Sequence, residues 1–136
     1  MPWRRRLPPE LEGPFVAFSD VAAVLEPAKA GLARVLPTTR LPGTPLPDAI
    51  AAYEAALERA GTKMASWRHP AVEEAWLACR HGVAAARDRA RRLREEAPEI
   101  DGFEGLIGAV EHLLDPLEPF GTAAAAFRDL RRGARR

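Results

Sequence analysis

Residues 72–97 read VEEAWLACRHGVAAARDRARRLREEA. The apolar positions Val72, Trp76, Cys79, Val83, Ala86, Ala90, Leu93 and Ala97 step alternately by four and three. A mean step of 3.5 keeps one stripe of a helix against its partner and adds a slight left-handed supercoil. Three other stretches step the same way. The first runs Leu11, Phe15, Phe18, Ala22, Leu25. The second runs Leu46, Ile50, Tyr53, Leu57, Ala60, Met64, Trp67. The last runs Phe103, Leu106, Val110, Leu113, Leu117, Phe120, Ala124, Phe127. Four such seams in one chain predict an all-α, single-domain fold: an antiparallel up-down-up-down left-handed four-helix bundle. Phe18, Leu57, Val83 and Val110 are expected among its most buried residues.

Composition fits this reading. The 136 residues suffice for one domain with one core. An apolar share of 47% and a charged share of 29% are ordinary for a globular chain. A net charge of +1 gives no overall field toward nucleic acid or membrane. Lys29 and Lys63 are the only lysines among the 20 basic residues, which together with frequent Ala and Pro suggests GC-rich, bacterial coding. The single cysteine, Cys79, cannot close an internal disulfide, so a reducing cytoplasm is the expected location. Met1 to Arg6 is basic with no long apolar run after it, and nothing reaches membrane-spanning length, so neither a signal peptide nor a span is expected.

Proline and glycine set the helix limits. Helix one is expected from about Glu10 to Leu36, followed by the proline-rich loop Pro37 to Pro45. Helix two runs to about Trp67. His69-Pro70 opens helix three, with Glu73 and Glu74 in its first turn. Helix three ends near Ala97, and helix four spans Phe103 to Arg132. Residues 1–9 and 133–136 are expected to be flexible basic tails on the domain 1–136.

Helices one and four each carry a proline deep in the pattern, Pro27 and Pro116. An internal proline removes a hydrogen bond, frees the carbonyl four residues back and strains the helix by about 3 kcal/mol. Two kinks are therefore expected, both on the order of 24 Å from the termini end at 1.5 Å per residue. A polar gap between them makes this level the candidate ligand pocket, with Glu26, Lys29, His112, Asp115 and Glu118 as its residues. The competing reading is plain curvature, with Lys29 snorkelling outward.

The second candidate is a basic end. Arg4, Arg5 and Arg6 precede helix one, Arg131 and Arg132 close helix four, and Arg68 lies in the turn after helix two. With Trp3 and Trp67 nearby they suit an anionic partner. The competing reading is solvated tails that aid solubility. On helix three Arg80, Arg87, Arg91 and Arg94 share a face, with Arg91–Glu95 and Arg92–Glu96 as expected pairs, which reads as a solvated charged surface.

No chemistry-bearing constellation stands out. A di-metal carboxylate site needs Glu-x-x-His pairs, and none occurs. Ser19 and Ser66 lie in no nucleophile context, no Gly-rich phosphate loop appears, and Cys79 falls on the core stripe, where it should behave as a small hydrophobe. No catalytic residue, metal or cofactor is expected. In helix four, Gly108, Gly121 and Ala124 widen the apolar face and suit a second helix, either a partner's or another copy's. The expected function is that of a non-enzymatic bundle acting through protein–protein contact, as adaptor, small regulator or assembly subunit. The alternatives are a bundle that binds a small ligand or an anionic polymer such as nucleic acid, and then an enzyme at the proline level.

Overall fold

The computed structural model describes residues 7–35, 46–96 and 103–133. It is an all-α four-helix bundle, with no strand among the described residues. Helix α1 spans Pro9–Val35 and α2 spans Leu46–Lys63. A 3₁₀ turn, Met64–Trp67, ends α2; another, Pro70–Val72, leads into α3 at Glu73–Glu96. The fourth helix comes in two pieces. Helix α4 is Phe103–Leu114, the 3₁₀ turn Asp115–Leu117 follows, and α5 is Pro119–Gly133. Helix α1 packs on α2, α2 on α3, and α3 on α4, α5 and the turn between them. The candidate tails at residues 1–6 and 134–136, the Pro37–Pro45 loop and Ala97 lie outside the described residues, and Leu7 is buried.

The stepped positions form the core. On α2 and its 3₁₀ turn, Leu46, Ile50, Tyr53, Leu57, Ala60, Met64 and Trp67 are all buried. On α3 so are Val72, Trp76, Cys79, Val83, Ala86, Ala90 and Leu93. Phe18, Leu57, Val83 and Val110 are 5%, 0%, 4% and 1% exposed. An aromatic cluster closes one part of the core. Phe18 meets Trp67 edge-on with ring centres 5.1 Å apart, and Phe127 lies 5.3 Å from Phe18 and 5.4 Å from Phe15. Such pairs add roughly 0.5–1.5 kcal/mol each beyond the area they bury.

The last seam departs from the expected steps. Ala124 is exposed and Ala123 takes the core place between Phe120 and Phe127. The cause lies upstream, in the interruption of the fourth helix. Pro116 has no N–H to offer the His112 carbonyl, and the chain tightens into a 3₁₀ turn. Two other helices take over the freed carbonyls. Arg89 Nη1 of α3 donates to the His112 oxygen at 2.9 Å, and the Tyr53 hydroxyl of α2 donates to the Leu113 oxygen at 2.7 Å. Tyr53 is fully buried, and burial pushes its phenol above the ordinary value, so it stays a donor. The turn itself rests on Gly82 of α3. A methyl group there would overlap the Pro116 carbonyl oxygen and touch the Pro119 ring.

Pro27 behaves differently from Pro116. Helix α1 is helical across it, and the ring is exposed. The two prolines therefore occupy different local structures, one inside a helix and one in a break between two.

Candidate functional site

Two grooves are among the open hollows around the core. The larger, about 580 Å³, lies between α2 and α3. It exists because the residues along its floor are short. Gly61 and Ala65 lie on one side and Ala84 on the other, with Met64, Trp76 and Val83 beneath. A methyl on Gly61 would come no closer than 3.9 Å to Val83 Cγ1. Long side chains form the rim: Glu58 and Arg68 from the α2 side, Arg80 and Arg87 from α3.

Trp76 is the fixed point of this groove. Its indole Nε1 donates to the Met64 carbonyl at 2.6 Å, locking the ring across the α2–α3 junction. Two guanidinium groups gather on it, Arg68 at 4.6 Å and Arg80 at 5.6 Å from the ring centre. Arg68 is held in place by Glu73. Its Nη2 donates to Glu73 Oε1 at 2.8 Å and its Nε to both carboxylate oxygens at 3.2–3.3 Å. That hydrogen-bonded pair holds the Glu73 carboxyl below the usual carboxylate range and lifts the Arg68 guanidinium. Glu73 in turn is positioned by the start of α3, where His69 Nδ1 accepts the Ala71 N–H at 3.1 Å as an N-cap and Pro70 follows.

Toward the other end of α2 and α3 two carboxylates are paired with arginines. Arg91 and Arg92 both donate to Asp88, at 2.8 and 2.9 Å, and Arg94 Nη1 reaches across to Glu54 Oε2 at 3.1 Å. These replace the expected Arg91–Glu95 and Arg92–Glu96 pairs, because Asp88 lies one turn before Arg91 and Arg92 and can serve both. Among the described residues, Arg80 and Arg87 have no ion-pair partner.

The second groove, about 570 Å³, lies where α1 faces the Asp115–Leu117 turn and α5. Glu26 and Lys29 of α1 and Asp115 and Glu118 of the turn line it, over Phe18, Leu117 and Phe120. Four of the five residues expected at the proline level thus meet around one groove. Lys29 does not point into a gap of its own: its Nζ pairs with Glu26 Oε1 at 3.2 Å. His112 is the exception and a correction. It lines a separate small hollow with Arg89 and Leu93, on the side of α4 that faces α3. Its four-residue offset from Pro116 puts its carbonyl next to the break, where Arg89 of α3 reaches it. Gly121 and Ala124 line this second groove, whereas a methyl on Gly108 would meet nothing within 4 Å.

The expected basic end is only partly described. Arg4, Arg5 and Arg6 and the Arg132 side chain lie outside the described residues. Arg131 sits over the Phe15 ring at 5.1 Å, and Arg68 is committed to Glu73 and Trp76. Arg80 and Arg87 rim the α2–α3 groove without an ion pair among the described residues, and Arg87 also borders a neighbouring hollow of about 380 Å³ with Glu54, Glu58 and Asp88. The seven-residue spacing of Arg80 and Arg87 with Ala84 between them was visible in the sequence, but a solvated face has the same spacing.

Cys79 is fully buried on the core side of α3, and burial pushes its thiol up to about 12. Among the described residues no three His, Cys, Asp or Glu stand together as a metal would require, and no helix is long and apolar enough to cross a membrane. No protein-family model, curated protein or solved structure matches this chain.

Proposed function

We propose that this protein works by docking another protein, without chemistry of its own, as an adaptor, small regulator or assembly subunit of the cytoplasm. The observation that carries the reading is the α2–α3 groove. It combines an apolar floor left open by small residues, a tryptophan fixed by its own hydrogen bond, and a charged rim. That composition, an apolar centre with aromatic and arginine anchors inside a polar border, is how protein interfaces differ from the rest of a surface. The lone, buried Cys79 suits a reducing compartment.

A photo-crosslinking residue at Ala84, which is exposed in the groove, tests this in the protein's native cells. The reading requires a discrete adduct with a different protein from Ala84 and none from exposed Ala23 on α1. An adduct of twice the chain's mass would instead favour self-association, and no adduct from Ala84 refutes the docking function.

A second reading has one specific observation in its favour. Glu26, Lys29, Asp115 and Glu118 meet around the α1–α5 groove, which suits a small ligand with an apolar body. Native mass spectrometry of protein purified from its source tests it: a retained small molecule, lost on Phe18→Ala or Gly121→Leu substitution, supports the ligand reading. The same spectrum reports nucleic acid carried over by the basic residues, and self-association through the fourth helix.

A further inference from the structure

We infer that the α2–α3 groove receives an acidic amphipathic helix, an inference that rests on the docking function proposed above. Three features select this occupant. The first is shape. The α3 wall runs from Trp76 to Arg87, about 16 Å at 1.5 Å per residue, and this accommodates three turns of a docked helix. A helix lays apolar residues at i, i+3, i+4 and i+7 into such a trough. The floor of Met64, Trp76 and Val83, with Gly61 and Ala84 keeping it low, is suited to that stripe.

The second feature is charge. At the far end of α2 and α3, Asp88 is held by Arg91 and Arg92 and Glu54 by Arg94, while Glu95 and Glu96 have no ion pair among the described residues. At the groove itself the balance is opposite. Arg80 and Arg87 are unpaired among the described residues, and Glu58 is the one acid on the rim. Two unpaired guanidiniums beside an apolar floor attract carboxylates on the flank of the incoming helix and repel lysines there. The third feature is pre-organisation. Arg68 is fixed by Glu73, and Arg68 and Arg80 both lie over the indole, so two of the three guanidiniums are gathered before a ligand arrives. Little side-chain entropy then remains to be lost on binding. Two unpaired cations are too few for a phosphate polymer, whose binding draws on many such contacts.

The test uses the full chain and synthetic peptides of about 15 residues, capped at both ends and built on alanine for helicity. Each carries Leu, Phe or Met at the four face positions i, i+3, i+4 and i+7, with Glu on both flanks. Matched peptides carry Lys in place of Glu. Binding is read by fluorescence anisotropy. At least one acidic peptide should bind about tenfold or more tighter than its lysine counterpart, and salt should weaken it only several-fold, as expected for so few charges. The double substitution Arg80→Glu with Arg87→Glu should invert the preference at unchanged melting temperature. Arg80→Gln with Arg87→Gln should abolish the preference while leaving the fold intact. Equal binding of acidic and basic peptides, or no binding by any of them, overturns the inference. So does displacement of the acidic peptide by a single-stranded oligothymidylate, which would give the groove to an anionic polymer. The two proposals fail separately. An Ala84 adduct with no peptide preference refutes the acidic helix and leaves the docking function standing, whereas an absent adduct refutes the docking function itself.

Discussion

Replacing Gly82 with alanine should damage this protein, although the same change at four other helical glycines should help it. Glycine inside a helix ordinarily costs about 1 kcal/mol against alanine. A methyl at Gly13, Gly31, Gly108 or Gly121 meets nothing within 4 Å, so each Gly→Ala change should stabilise by about 0.5–1 kcal/mol. At Gly82 the methyl would overlap the Pro116 carbonyl and contact the Pro119 ring. Backbone atoms cannot rotate out of the way, so the Asp115–Leu117 turn must lift off α3. Overpacking of this kind costs about 1–3 kcal/mol. Lifting the turn also loosens the buried Leu113 carbonyl from Tyr53, worth about 1–3 kcal/mol if left unpaired, whereas the exposed His112 carbonyl can turn to water. Against a propensity gain of about 1 kcal/mol, the net loss should be about 2–4 kcal/mol, or a melting temperature lower by roughly 8–16 °C for a chain this size. Urea unfolding followed by far-ultraviolet circular dichroism, run on all five variants, measures it. A Gly82→Ala protein as stable as the parent refutes the seating of the turn on α3.

Three further outcomes follow from the same packing. Tyr53→Phe keeps the ring but leaves the buried Leu113 carbonyl without its donor, and should cost about 1–3 kcal/mol in a urea titration. Pro27→Ala should stabilise by about 1–3 kcal/mol, because α1 is already helical there and regains a hydrogen bond, whereas Pro116→Ala should not stabilise, since Arg89 and Tyr53 already occupy the carbonyls it would serve; paired thermal melts decide this. Burial favours the neutral Cys79 thiol, raising it from about 9 to about 12, so the folded state holds its proton longer than the unfolded state. The Cys79 contribution to stability should therefore be constant up to about pH 9 and decline between about 9 and 12, with Tyr53 adding to the decline; Cys79→Ala should flatten the slope, and native Cys79 should react slowly with a thiol reagent until urea is added.

The core was legible because burial along a helix is a one-dimensional property. Positions such as Tyr53, Cys79 and Val83 are fixed by their own spacing, whichever helix they meet, and the stepping by four and three places them without knowledge of the partner. The slip from Ala124 to Ala123 was not legible in the same way. It depends on how the chain leaves the Pro116 turn, and that is decided by what the turn packs against. Gly82 shows the point most sharply. In the sequence it is one more glycine on an arginine-rich helix, and its importance comes from a carbonyl 34 positions along the chain. Tyr53 was read as a core aromatic, correctly, but the target of its hydroxyl lies on another helix.

The grooves follow the same division. Glu26, Lys29, Asp115 and Glu118 could be grouped from the heights of two prolines, since level along a bundle is again a one-dimensional quantity. His112 shared that level but not the face, and a difference in face between helices needs the packing itself. Arg80 and Arg87 pose the harder case. An arginine on a solvated face and an arginine on the rim of a groove have the same neighbours in sequence. What separates them is whether Arg91, Arg92 and Arg94 take up Asp88 and Glu54 and whether Gly61, Ala65 and Ala84 leave a floor between the helices. Both conditions are met only after α2 and α3 come together. The groove is thus a product of pairing small residues across one junction while the salt bridges are placed elsewhere. Its charge should be removable at Arg80 and Arg87 without cost to the core that creates it.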